Sequence, residues 1–266
     1  MNLVYNNIDT IIKRIKHDNP LILNITNYVT MEFVANGLLS LGASPIMTCA
    51  AQEAGDLVAI SNAVIINIGT LNDEFIALCE QVCQHAAKLS KPIILDPVGV
   101  GASHYRTQAC LNLMKKFKID IIRGNASEIM ALSGAKHSTK GVDANISTAD
   151  VIENAKCLAT QHDLVIVMSG KMDAAVSPDK TYLSYRGSAT MPMVTGSGCL
   201  LTSIIGAFDS VCHDRFEAAC AAVVFYGVCG ELAATKTATP GTFKMCFLDA
   251  LSSLPEKNQY ADTMCC

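Results

Sequence analysis

Short apolar runs at residues 21–25, 63–68, 92–95, 119–122 and 164–168 alternate with amphipathic stretches at 72–89, 105–117 and 149–161. That alternation constrains the fold more than any other feature of the chain. Runs rich in Ile, Val and Leu without polar alternation are buried on both faces, which predicts a parallel sheet. Helical connections and right-handed crossovers then place helices on either side, giving an α/β class, three-layer αβα domain with a mainly parallel central sheet. Residues 173–194 break the rhythm. Short alternating pieces at 174–176 and 181–185 flank Ser177-Pro178-Asp179-Lys180, which predicts an antiparallel hairpin on a sheet edge.

From Gly198 to about Leu254 the pattern is mainly helical, and residues 216–234 are apolar nearly all round, as a buried helix would be. No linker, repeat or low-complexity segment interrupts the chain, so residues 1–266 read as one domain, with a tail after about 254 expected to fray.

Half of the 266 residues are apolar, enough for a substantial core. A net charge of −4 with scattered basic residues argues against a nucleic-acid or anionic-membrane partner. Residues 218–228, the longest apolar run, fall well short of the roughly 20 residues needed to span a bilayer. Asn6, Asn7, Asp9, Lys13 and Arg14 interrupt the N-terminal segment, which therefore lacks a signal-peptide core, and a cytoplasmic location is expected. The twelve cysteines are dispersed, without a C-x-x-C pair or matching histidines. They read as small buried hydrophobes, Cys49, Cys79, Cys83, Cys157, Cys220 and Cys229 among them, and Cys265-Cys266 as part of the frayed tail.

Ligands of parallel α/β sheets gather beyond the carboxyl ends of the strands, so those segments hold the candidate site. In Val194-Thr195-Gly196-Ser197-Gly198-Cys199, two glycines lead into Leu200, Leu201, Ile204, Ile205, Phe208 and Val211, one face of a helix starting near Ser197 or Gly198. A glycine turn at a helix N-terminus exposes backbone N–H groups at the positive end of the dipole, an anion site with Cys199 at its lip.

The run at 92–95 leads into Asp96-Pro97-Val98-Gly99-Val100-Gly101-Ala102, where Asp96 is either a metal or phosphate contact or a turn-former. The run at 119–122 leads into Arg123-Gly124-Asn125-Ala126-Ser127-Glu128. Asn125 and Glu128 are spaced as a capping box, while Glu128 also suits Mg²⁺ held through water and Arg123 suits a phosphate clamp. Taken alone, the cap is the preferred reading.

Ser169-Gly170-Lys171-Met172-Asp173 is no Walker A loop, and no G-x-G-x-x-G follows a strand. Asn24-Ile25-Thr26-Asn27 closes the first run, and Met47 in Gly42-Ala43-Ser44-Pro45-Ile46-Met47 offers a thioether to a flat ring, though filling a core is a methionine's commoner use.

Together and in this order, these segments closely resemble the hydroxyethylthiazole kinase family of the ribokinase-like superfamily. The matching stretches are 24–27, 36–47 (NGLLSLGASPIM), 67–70 (NIGT), 96–102 (DPVGVGA) with Arg106, 123–129 (RGNASEI), 170–173, 195–201 (TGSGCLL) and 240–243 (PGTF). The resemblance implies an ATP- and Mg²⁺-dependent kinase that phosphorylates the primary hydroxyl of 4-methyl-5-(2-hydroxyethyl)thiazole in thiamine biosynthesis or salvage. It implies substrate contacts at Asn27, Met47 and Gly196, ATP contacts at Arg123, Ser169 and Asn125, and acids near Mg²⁺ at Asp96 and Glu128. Ser169 stands where the family has threonine, with the hydroxyl kept.

The same resemblance implies a catalytic turn of Gly196 and Gly198 with Cys199, where superfamily relatives carry an aspartate base, and a homotrimer with substrate sites between subunits. Phosphoryl transfer depends more on positioning and charge stabilisation than on early proton removal, so the turn is expected to contribute more than the thiol. The alternatives are a kinase for another small alcohol such as hydroxymethylpyrimidine, a nicotinamide-cofactor repair dehydratase, and a non-catalytic ATP-sensing module. Cys199 and Met47 favour thiazole.

Overall fold

The computed structural model describes residues 2–134 and 147–253. Its strands are β1 (Leu21–Ile25), β2 (Ser44–Met47), β3 (Ala63–Asn67), β4 (Ile93–Asp96), β5 (Ile121–Asn125), β6 (Val165–Ser169), β7 (Asp173–Val176) and β8 (Thr181–Ser184). The helices are α1 (Asn2–Asp18), α2 (Met31–Leu41), α3 (Ala54–Ile60), α4 (Asp73–Lys88), α5 (His104–Lys116), α6 (Ala126–Leu132), α7 (Thr148–His162), α8 (Ser197–Asp209), α9 (Arg215–Lys236) and α10 (Pro240–Ser252). One eight-stranded sheet runs β2-β1-β3-β4-β5-β6-β7-β8. Its first six strands are parallel, and β7 and β8 form the antiparallel hairpin expected at an edge.

Alternate residues of each central strand face opposite layers, as the pleat requires. On β3, Ile65 packs with α1, α2, α8, α9 and α10, whereas Val64 and Ile66 pack with the layer of α3 to α7. Because both faces are covered, the strand sequences carry no polar alternation. The expected three layers are therefore observed, and the expected runs correspond to β1, β3, β4, β5 and β6.

Helix α9 is apolar nearly all round because it is the core of its layer. It is long and apolar enough to cross a bilayer by composition, yet its apolar stretch is 78% buried within the fold. The length of the helix, rather than of the uninterrupted apolar run, is what meets that criterion.

Three sequence expectations need correction. The segment 44–47, notable in the sequence only for Met47, is the edge strand β2, paired with β1. Pro45 is admissible there because only one side of an edge strand is hydrogen-bonded. Strand β5 begins two residues later than the apolar run suggests and continues through Arg123, Gly124 and Asn125, which pair with β6. Arg123 is thus a strand residue, not a turn residue. Cys49 and Cys157 are exposed rather than core residues, while every cysteine among the described residues is a free thiol. The terminal tail and Cys265-Cys266 lie outside the described residues.

At the foot of the sheet, Arg215 at the start of α9 lies 3.0 Å from Asp120 and 3.4 Å from Asp209, the last residue of α8. Burial pushes the Asp209 carboxyl up to about 6 against the pull of Arg215. Between about pH 4 and 6 the unfolded chain has therefore released this proton while the folded chain retains it, so Asp209 erodes stability as pH rises through that window. Asp209→Asn is expected to gain on the wild type in unfolding free energy as pH rises from 4 to 6. A difference that stays flat across denaturant titrations at several pH values would contradict this.

Candidate active site

The parallel strands bring their carboxyl ends to one rim, and the expected site residues lie along it. Met47, Asp96, Asn125 and Ser169 are the terminal residues of β2, β4, β5 and β6, while Arg123 lies two residues inside β5. Asn27 follows β1, and α8 starts above the same rim at Ser197.

The turn into α8 is built by two glycines for different reasons. Gly196 has φ +89°, in the left-handed region, and a Cβ there would fall 2.9 Å from the Thr30 methyl. Gly198 is helical, but a Cβ there would fall 3.0 Å from Nη2 of Arg123 and closer still to Nη1. The guanidinium therefore lies against the first turn of α8. Within that turn the Ser197 N–H bonds the Val194 carbonyl at 3.2 Å, and the Leu200 N–H bonds that of Gly196 at 2.8 Å. The N–H groups of Gly198 and Cys199, in the same turn, have no backbone acceptor among the described residues, as the first donors of a helix do not. A cation pressed against the positive end of a helix is unfavourable by itself. An anion seated between them relieves both.

Ser169 accepts a hydrogen bond from Arg123 Nη2, so its hydroxyl aims the guanidinium. Asp96 lies on the other side, fully buried, with Oδ1 4.0 Å from Arg123 Nη1. Its Oδ2 accepts from Asn67 Nδ2 and from the Thr202 hydroxyl, both at 2.8 Å, whereas Oδ1 has no hydrogen-bond partner among the described residues. Burial pushes the Asp96 carboxyl up to about 6, with Arg123 opposing and Glu128 adding to the rise. Asp173, at the start of β7, accepts from the Gly170 N–H at 2.9 Å and is pushed up to about 7 by burial.

The capping box foreseen from Asn125 and Glu128 is present. Asn125 Oδ1 accepts from the Glu128 N–H at 2.9 Å, and Glu128 Oε2 accepts from the Asn125 N–H at 2.8 Å. Glu128 Oε1 also accepts from the Gly99 N–H at 2.8 Å, tying the 96–102 loop to the β5–α6 turn. The Asn125 side chain is thus engaged as a cap. Among the described residues no group of three or more His, Cys, Asp or Glu side chains is arranged to hold a metal. The orphaned Asp96 Oδ1 and the second lone pairs of Glu128 are hard oxygen donors, a set that suits a largely hydrated divalent ion rather than a protein cage.

Cys199 is half-buried, and Asn27 Nδ2 donates to its sulfur at 3.4 Å. Burial, followed by the charge of Asp96, pushes the thiol above its usual range despite the Thr30, Asn67 and Asn27 side chains that pull it down. Raised from a value that is already alkaline, the group is a thiol at neutral pH. Met47 shares the rim in register with Asn24, but its side chain packs partly buried against the α8-side core.

Thr202, Asp173 and Asn67 are residues of this site to which no sequence motif assigns a role. Thr202 and Ser203 left a signal, since both are hydroxyls within the otherwise apolar face of α8 and both are buried. Each bonds a strand, Thr202 through Asp96 and Ser203 through Asn24 Oδ1 at 2.7 Å.

The Hydroxyethylthiazole kinase family model matches residues 12–257. The chain belongs to the hydroxyethylthiazole kinase family. It is 42% identical over 240 residues to a hydroxyethylthiazole kinase of Leptospira biflexa, covering 90% of each chain. It is 39% identical over 247 residues to the one of Desulfotalea psychrophila, covering 92% of this chain and 90% of that one. The solved structure of a hydroxyethylthiazole kinase protein from Pyrococcus horikoshii superposes with a TM-score of 0.88 at 32% identity, covering 97% of each chain.

Proposed function

We propose that the protein transfers the γ-phosphoryl group of ATP to the primary hydroxyl of 4-methyl-5-(2-hydroxyethyl)thiazole, in thiamine biosynthesis or salvage. The observation that carries this reading is a juxtaposition. The first turn of α8 with Arg123 is built for an anion, and Asn27 and Cys199 stand beside it with groups suited to an alcohol. In this mechanism the Gly198 and Cys199 N–H groups and Arg123 stabilise charge on the moving phosphoryl group. Ser169 keeps Arg123 aimed, and Asn27 with Cys199 orients the hydroxyl.

Asp96 and Glu128 are the residues that would hold hydrated Mg²⁺, which supplies charge neutralisation at the phosphate oxygens when bound. We also propose a homotrimer with the substrate site at subunit contacts. Tyr28 and Val29, next to Asn27, are 60% and 69% exposed, as apolar residues of an interface are in an isolated chain. Met47 would contact the thiazole ring and Gly196 its side chain. The free thiols fit the reducing cytoplasm we assign to it.

Incubation with ATP, Mg²⁺ and either the thiazole alcohol or hydroxymethylpyrimidine tests the substrate. Thiazole-dependent ADP release is expected, and release with hydroxymethylpyrimidine alone would overturn the assignment. A protonated thiol makes proton abstraction by Cys199 dispensable, so Cys199→Asp is expected to stay within about tenfold of wild-type kcat/KM. An inactive Asp variant, with a covalent adduct trapped on Cys199 of the wild type, would instead identify a nucleophile.

A further inference from the structure

Asn67, the last residue of β3, is 1% exposed, and its side chain is hydrogen-bonded through both its oxygen and its nitrogen at the centre of the site. Its Oδ1 accepts from the Gly69 N–H at 3.0 Å and from Asn27 Nδ2 at 2.9 Å, and its Nδ2 donates to Asp96 Oδ2 at 2.8 Å. The Gly69 contact fixes the orientation of the amide, because a backbone N–H only donates and the atom it meets must be the oxygen. The same oxygen then obliges Asn27 to present its amino group. The second N–H of that amino group is directed to the Cys199 sulfur at 3.4 Å. Both donors of Asn27, itself 4% exposed, are thereby turned toward the protein.

We infer that Asn67 is a positioning residue for the acceptor alcohol, locking the Asn27 amide so that its Oδ1 is the atom left to accept the alcohol's hydroxyl hydrogen bond. A hydroxyl that donates to Asn27 keeps its oxygen lone pairs for the incoming phosphoryl group. The bond from Asn67 to Asp96 then makes the alcohol side and the acid side of the site one rigid unit. This inference rests on the kinase reading above.

The test measures binding of 4-methyl-5-(2-hydroxyethyl)thiazole by calorimetry without ATP, alongside KM for the alcohol and for ATP. Asn67→Ala frees the Asn27 amide to turn. It is expected to raise Kd and KM for the alcohol about tenfold, the effect of one lost hydrogen bond, with KM for ATP within about twofold of wild type. Asn67→Asp keeps the oxygen that Gly69 and Asn27 require, so alcohol binding is expected within about twofold of wild type even though a carboxylate against Asp96 lowers kcat. In an Asn27→Ala background, Asn67→Ala is expected to weaken alcohol binding no further, as required of a residue that acts through Asn27.

Equal losses for alcohol and ATP, additive losses in the double variant, or failure of Asn67→Asp to restore alcohol binding would each overturn the positioning role. A wild-type protein that binds no thiazole alcohol would overturn the kinase reading and this inference together.

Discussion

Gly198→Val is expected to lower kcat/KM by about a thousandfold while the protein remains folded. The position lies in the first turn of α8, where valine costs little in helix propensity and no left-handed φ is required. The obstacle is Arg123, because the Cβ alone would fall 3.1 Å from the guanidinium carbon and the two γ-methyls would displace the group entirely. Arg123 has little room to retreat, with Ser169 on one side and Asp96 on the other. The variant therefore removes the side-chain cation and crowds the orphan N–H groups beside it. Loss of a single preorganised donor costs about 10²–10³ in rate, so the combined loss should reach the upper end. The check is kcat/KM for both substrates together with a thermal unfolding curve. Near-normal activity would show that Arg123 does not contact the phosphoryl group.

Asp96→Asn carries the second large effect, an expected drop of about a thousandfold in kcat, or about 4 kcal/mol of transition-state stabilisation. The substitution preserves volume and leaves an amide oxygen able to accept from Asn67 and Thr202, which bond Oδ2 in the wild type. What disappears is the charge. Oδ1 is buried without a hydrogen-bond partner among the described residues, and a carboxylate is retained in such a place only where a cation balances it. Arg123 at 4.0 Å supplies part of that balance, and the proposed divalent ion supplies the rest. Binding of the thiazole alcohol in the absence of ATP should survive, because the Asn27–Asn67 contact is intact. Retained kcat in Asp96→Asn would remove Asp96 from the catalytic machinery.

Most of the fold was legible because burial on both faces leaves an unmistakable pattern in β1, β3, β4 and β6. Strand β2 was not, since Pro45 and Ser44 in a four-residue segment carry no such pattern and only its edge position explains them. Among the candidate site residues, the acids, glycines and cysteine stand out by type and spacing. Asn67 does not, because an asparagine at a strand end has many uses. Its meaning comes from sheet order, which sets β3 between β1 and β4 and so between Asn27 and Asp96. The sequence marks Gly198 only as part of a glycine turn, and the fold shows that its missing Cβ makes room for Arg123.

If the first turn of α8 delivers a phosphoryl group to an alcohol held by Asn27, ³¹P NMR will show it in the product formed from ATP, Mg²⁺ and 4-methyl-5-(2-hydroxyethyl)thiazole. The expected result is a phosphomonoester resonance coupled to the hydroxyethyl methylene protons and growing in step with ADP. ADP appearing without that ester, or at a rate indifferent to the alcohol, would mean that the phosphoryl group goes to water and not to the alcohol.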